Sequence, residues 1–127
     1  MAGTIAADTL THSTAGSLGT QYVVNGSAKA WSKLNGTGTI SLYGSFGISS
    51  VADNGTGDYT HTMTSAMSDA NYSHTFTART YFAVFMDGQT PTTTTYRIGH
   101  IYNDGAGGSF AYSDGNYISA NIIGELA

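Results

Sequence analysis

The sequence predicts an all-β fold, an antiparallel β-sandwich or barrel-like domain with a short extended N-terminal arm. Three observations point there. Asn-Gly and Asp-Gly pairs recur at Asn25-Gly26, Asn35-Gly36, Asn54-Gly55, Asp87-Gly88, Asp104-Gly105 and Asp114-Gly115, and such pairs tolerate the positive φ of tight hairpins. Between them lie short β-branched and aromatic runs with turn signals about every ten residues, the spacing of a sandwich or barrel. No segment combines a helical period with caps and adequate length.

Taken in order, residues 1–26 are small, polar and nearly chargeless. They predict an arm for attachment or oligomer contact, with short strands over Thr4 to Leu10 and Thr20 to Val24. Residues 27–127 form the domain proper. Strands are expected near Ala28 to Leu34 and Thr39 to Phe46, then Ile48 to Ala52 and Asp58 to Thr64. Asn71 to Met86 is long for one strand and is expected to bend midway. Its odd positions are polar as far as Arg79, but from Tyr81 to Met86 both parities turn apolar, which fits a strand covered on both faces. That pattern nominates Tyr81, Phe82 and Phe85, together with Trp31, for an oligomer interface. Thr92 to Ile98 is expected to pair back across Asp87-Gly88, its threonines suited to a pleated surface. Tyr117 to Ile123 is the closing strand.

Composition removes several function classes. The chain has 127 residues, only 9% of them charged, with 4 Lys plus Arg against 8 Asp plus Glu and a net charge of −4. So few cations argue against a nucleic-acid partner. The absence of cysteine removes disulfide scaffolds, zinc fingers and thiol chemistry. No apolar run reaches a membrane span, and the N-terminus lacks the basic and apolar regions of a signal peptide. A content of 40% hydrophobic and 12% aromatic residues suffices to bury a core.

The chain has no GxSxG elbow, P-loop or HExxH motif, and no cofactor is implied. Its aspartates cluster in turns (Asp53, Asp58, Asp69, Asp87, Asp104, Asp114), where they ordinarily serve their own backbone. Asp53 to Asp58 superficially has a calcium-loop look but lacks the ligand spacing and terminal glutamate. No metal site is assigned. His61 and His74 flank an expected turn over Met67 to Ala70, and a hairpin there would bring both imidazoles to one face, a start that threefold symmetry could complete. The alternative is a pair of semi-buried, aromatic-like residues. Asn103 to Tyr117 (NDGAGGSFAYSDGNY) has the composition of binding loops, rigid aromatics on an adaptable polar frame. Phe110 and Tyr112 would be its anchors, with Asp104, Asp114 and Asn116 hydrogen-bonding sugar hydroxyls of a receptor; the alternative is an ordinary glycine-rich surface loop. Trp31 packs a core or a subunit contact, or serves as a sugar platform.

Two stretches, SAKAWSKLNGTGTISLYGSFGISSVADNGTGDYT and MSDANYSHTF, resemble a domain of tailed-bacteriophage tail-fibre and small virion structural proteins. The matching motifs fall on Lys29 to Trp31, Asn35 to Thr39, Ser45 to Ser50, Asp53 to Thr60 and Met67 to Tyr72. The arm is similar to short N-terminal segments of such proteins. The chain departs from the pattern at His61 and Met63, where apolar residues are common, and at Ser68, where proline is usual. The resemblance implies a β-rich, non-enzymatic virion component. It would be a homotrimeric tail fibre or tip contacting other virion proteins and a host-surface glycan or protein, or alternatively a capsid decoration (cement) or head-fibre protein. The segment from Phe82 onward lies outside it.

Overall fold

The computed structural model describes residues 3–79, 82–86 (backbone only), 88, 90–102 and 110–127. The elements run β1 (Thr9–His12), β2 (Gly16–Gly19), α1 (Thr20–Gly26), β3 (Ala28–Asn35), β4 (Ser41–Phe46), β5 (Ile48–Gly55), β6 (Asp58–Met63), β7 (Ser73–Thr77), β8 (Phe82–Met86), β9 (Thr95–Tyr102), β10 (Ala111–Tyr112) and β11 (Asn116–Ile123). The fold is all-β, with every pairing antiparallel. One sheet has the order β4-β3-β11-β7. A five-stranded sheet follows the path β10-β9-β6-β5, with β8 also on β9.

Alternation makes the inner face of β3 and β11 largely apolar, and in the other sheet it holds except where Asp58–Tyr59 and Ile98–His100 are buried in succession. Ala30, Ser32 and Leu34 of β3 and Ile118, Ala120 and Ile122 of β11 are buried, while Trp31 and Lys33 between them face outward. From the other sheet, Tyr59 and Met63 of β6 and Tyr96 and Ile98 of β9 join the same core. Two half-apolar sheets sharing one core are a sandwich.

One end of the sandwich is tied by a knot of hydrogen bonds. Asp114 Oδ1 accepts from Gly57 N (2.8 Å) and lies 3.1 Å from the Tyr59 hydroxyl, which is 3.2 Å from Gly36 O. Gly36 N donates to Gly115 O (2.8 Å), His100 N to Gly57 O (2.7 Å) and His100 Nδ1–H to Ser113 O (2.5 Å). Gly36 and Gly115 were expected to supply positive φ, yet neither has it. They supply room: a Cβ at Gly36 would overlap the Tyr59 hydroxyl, and one at Gly115 the His100 ring.

The aspartates divide by role. Asp53 Oδ1 accepts from Gly55 N (2.9 Å) and Asp69 Oδ1 from Asn71 N (2.7 Å), as turn aspartates do. Asp58 instead forms a forked pair with Arg97, Nε to Oδ1 at 2.6 Å and Nη2 to Oδ2, with Asn54 Nδ2 donating at 3.1 Å. The Arg97 hydrogen bond is the main cause of an Asp58 carboxyl held below its ordinary range, against the opposing effect of burial.

Several sequence expectations change. Thr20 to Val24 is helix, not strand. Its β-branched residues have no neighbouring strand, whereas Lys29 Nζ reaches back to Val24 O and to Ser27 O (2.9 Å), satisfying the carbonyl end of α1. The strand expected from Thr92 begins only at Thr95. The Thr92 hydroxyl accepts from the backbone of Thr94 (3.2 Å) and Thr95 (2.9 Å), which closes a turn. The long Asn71 to Met86 strand divides more sharply than a bend: β7 pairs β11 in one sheet and β8 pairs β9 in the other.

The arm stands apart. No residue from Gly3 to Ala28 is buried. Leu10 and Leu18 face each other across β1 and β2, and with Ile5, Tyr22, Val23 and Val24 they remain exposed. A two-stranded hairpin and a seven-residue helix are each marginal alone in water. The helix start is held only to the arm itself, through Thr20 N to Asp8 O (2.9 Å) and Thr20 Oγ1 to Ala7 O (2.7 Å). Where α1 ends, Val24, Ala28, Phe46 and Leu126 help to line a groove of about 530 Å³ between arm and domain.

Asp114→Ala is expected to lower unfolding free energy by about 1–3 kcal/mol, the cost of stranding the Gly57 N–H and leaving the Tyr59 hydroxyl only the Gly36 carbonyl as acceptor. Urea unfolding measures this. A loss within about 0.5 kcal/mol, the range of ordinary surface substitutions, would show that the knot does not hold the sheets together.

Candidate binding face

The outer face of the β4-β3-β11-β7 sheet gathers the aromatic and cationic side chains. Register places them in rows. Phe46, Trp31, Asn121 and Thr75 form one row; Gly44, Lys33, Ser119 and Thr77 form the next. Trp31 is 42% exposed and Phe46 60%. The indole of Trp31 lies over Gly44 of β4, close enough that a Cβ there would meet it at 3.4 Å, an ordinary contact distance.

Beyond these rows, Tyr43 and Tyr117 stack with centroids 5.0 Å apart and rings 11° from parallel. Both lie at register shifts, Tyr43 where β4 slips against β3 and Tyr117 where β11 does. Each bulge turns its ring out of the regular alternation. Tyr117 has φ 56, a left-handed conformation that costs a non-glycine residue of order 1–2 kcal/mol. Two cations converge on its ring, Lys33 Nζ at 4.6 Å and the Arg79 guanidinium carbon at 5.4 Å from the centroid.

The face is electrostatically one-signed. β3, β4, β7 and β11 contain no Asp or Glu at all. Of the four Lys and Arg, Arg97 is paired with Asp58 and Lys29 is spent on the end of α1. Lys33 and Arg79 have no carboxylate partner among the described residues.

The sequence-nominated residues lie in different places. Phe110 and Tyr112, the anchors expected of the Asn103 to Tyr117 segment, are 66% and 46% exposed, Phe110 just before the short β10 and Tyr112 within it. Tyr112 borders a cavity of about 310 Å³ that also meets Asp58 and Arg97. Asp114 Oδ1 is engaged in the knot, and Asn116 is paired with Asn35 at the start of β11. Residues 103–109 of that loop, Tyr81, and the side chains of Phe82 and Phe85 lie outside the described residues. Trp31 is on the surface rather than in the core. Tyr43 and Tyr117 escape the sequence reading because a bulge is invisible to a period-two pattern; for Lys33 and Arg79 the available signal was the lack of acids in β3, β4, β7 and β11.

The histidine hairpin does not form. His61 lies in β6 of one sheet and His74 in β7 of the other, because the chain crosses between sheets over residues 64–72. His61 is fully buried and stacks on Tyr96 at 4.9 Å; Tyr96 stacks on Phe76 at 5.9 Å, and Phe76 on exposed His74 at 5.0 Å. The two imidazoles therefore sit at opposite ends of a ring ladder. Among the described residues no three His, Cys, Asp or Glu are grouped for a metal ion.

Comparison with known proteins finds no family, no curated protein and no solved structure that matches the chain. Among the described residues no helix is long and apolar enough to cross a membrane.

Both ring nitrogens of His61 are buried without a hydrogen-bond partner, and desolvation pushes its pKa from 6.5 down to about 4. Between those values the unfolded chain binds a proton that the folded chain refuses. Stability is therefore expected to fall as pH drops through that window, by roughly 3 kcal/mol in all. His61→Phe keeps the stack on Tyr96 and should flatten this acid limb. Denaturant unfolding at about pH 7 and about pH 5 measures the difference; equal slopes for both proteins would show that His61 does not set it.

Proposed function

We infer that this chain is a non-enzymatic bacteriophage virion structural protein, a homotrimeric tail-fibre or tip protein that adheres to the host surface. The observation that carries the reading is the arm: no residue from Gly3 to Ala28 is buried, yet it exposes Ile5, Leu10, Leu18, Tyr22, Val23 and Val24. Covering such side chains is worth about 1.5–3 kcal/mol each when complete, and the domain of the same chain leaves them uncovered. An assembled particle supplies the missing surface. The motifs from Lys29 to Tyr72 that resemble virion proteins support the same reading, and trimerisation follows from that resemblance. Adhesion would then gain from repetition, since three weak sites on one fibre act together.

The arm also suits a capsid decoration or head-fibre protein, in which the partner surface is the shell rather than further copies. Leu10 and Leu18 separate these readings, being exposed and remote from the core. Leu10→Asp with Leu18→Asp is expected to leave the fold unchanged and convert a trimer to a monomer in light scattering. A native protein that is already monomeric, and that needs the arm to bind particles, would favour decoration. A monomer that binds no particle component would overturn both.

A further inference from the structure

We propose that the outer face of the β4-β3-β11-β7 sheet binds an acidic polysaccharide, with carboxylates on Lys33 and Arg79 and sugar rings on Trp31 and Tyr43. Charge complementarity selects the sign of the ligand. An acidic chain has placed on one sheet its two cations without a carboxylate partner among the described residues, and kept Asp and Glu out of all four strands. Lys33 and Arg79 flank one ring, Tyr117, which holds both long side chains near a common point. A carboxylate there would accept charge-assisted hydrogen bonds from either head group.

The neighbouring groups select a sugar. Exposed Trp31 and Tyr43 offer flat rings, whose electron-rich faces suit the C–H face of a pyranose. Beside Trp31 and Lys33, on β11 and β7, lies a row-wise array of Asn121, Ser119, Thr75 and Thr77, short side chains that hydrogen-bond as sugar hydroxyls do. The strained backbone of Tyr117 sets its half-buried ring against Tyr43 and within reach of both cations, and strain of this kind clusters at sites that are used. Nucleic acid is the poorer match: two free cations neutralise too few phosphates for useful affinity.

This deepens the adhesion reading by giving the receptor a chemistry, and rests on that reading for its biological purpose. Trp31 is the only tryptophan, so its fluorescence reports on this face directly. Purified full-length protein is titrated with polygalacturonate, with dextran as the neutral polymer and with a single-stranded oligothymidine. Polygalacturonate is expected to shift Trp31 emission, with affinity falling as salt rises from about 50 to about 300 mM. Lys33→Gln with Arg79→Gln should weaken it about tenfold or more, equivalent to about 1.4 kcal/mol. Tyr43→Ala should weaken it as well, while Phe110→Ala should not. Tyr117→Gly suits the left-handed backbone, so it should fold while losing the stack that orients the cations, and should also bind more weakly. No response to polygalacturonate, an equal response to dextran, tighter binding of the oligonucleotide, or native affinity in the Lys33/Arg79 variant each overturns the site. Polysaccharide binding without adsorption to host cells would instead fail the adhesion reading and leave the site standing.

Discussion

The carboxylate of Asp114 is the constraint on which the sandwich depends at one end. It precedes β11, which is central to one sheet, and it holds Gly57 and Tyr59, which open β6 in the other. Through the Tyr59 hydroxyl and the Gly36–Gly115 hydrogen bond, the end of β3 is drawn into the same knot. Apolar burial alone brings two sheets together without fixing their offset. A carboxylate with two named donors fixes it. The close approach at Gly36 and Gly115 follows, and so does the placement of β10 against the end of β9.

Fixing that offset has consequences on the opposite surface. With β11 anchored at Asp114, its first residues take up the slack as a bulge, and Tyr117 is turned outward at positive φ. The ring then meets Tyr43, which is displaced by the matching irregularity of β4. The aromatic and cationic face is thus a product of the knot as much as of the strands. The other sheet carries Asp53 in β5, and the forked Asp58–Arg97 pair between β6 and β9.

Strand identities were legible wherever alternation was clean. β3, with Ala30, Ser32 and Leu34 inward, and β11, with Ile118, Ala120 and Ile122 inward, follow directly from period two. The Asn54-Gly55 and Asp53 chemistry correctly marks the β5–β6 turn. The failures share a cause, long-range context overriding local preference. Thr20 to Val24 has strand composition but no strand beside it, and Lys29, several residues on, completes a helix instead. The His61–His74 hairpin failed because residues 64–72 carry the chain across the sandwich, and nothing local distinguishes a crossing from a turn. For the candidate face, Trp31 was singled out, though for core or subunit packing ahead of a sugar platform, whereas Tyr43 and Tyr117 were hidden by bulges and Arg79 by its place beyond the end of β7.

The position of β11 bears on how the protein comes to be made. It sits between β3 and β7, and its partner residues in β3 lie roughly ninety positions earlier in the chain. Until β11 has been synthesised, β3 and β4 have only each other, and their apolar side has no completed sheet behind it. Pairings of such long sequence separation form late and slowly. The arm's hydrogen bonds run within it and to Lys29, so none of them waits for β11. The last long strand, not the first, thus sets when the sandwich can close.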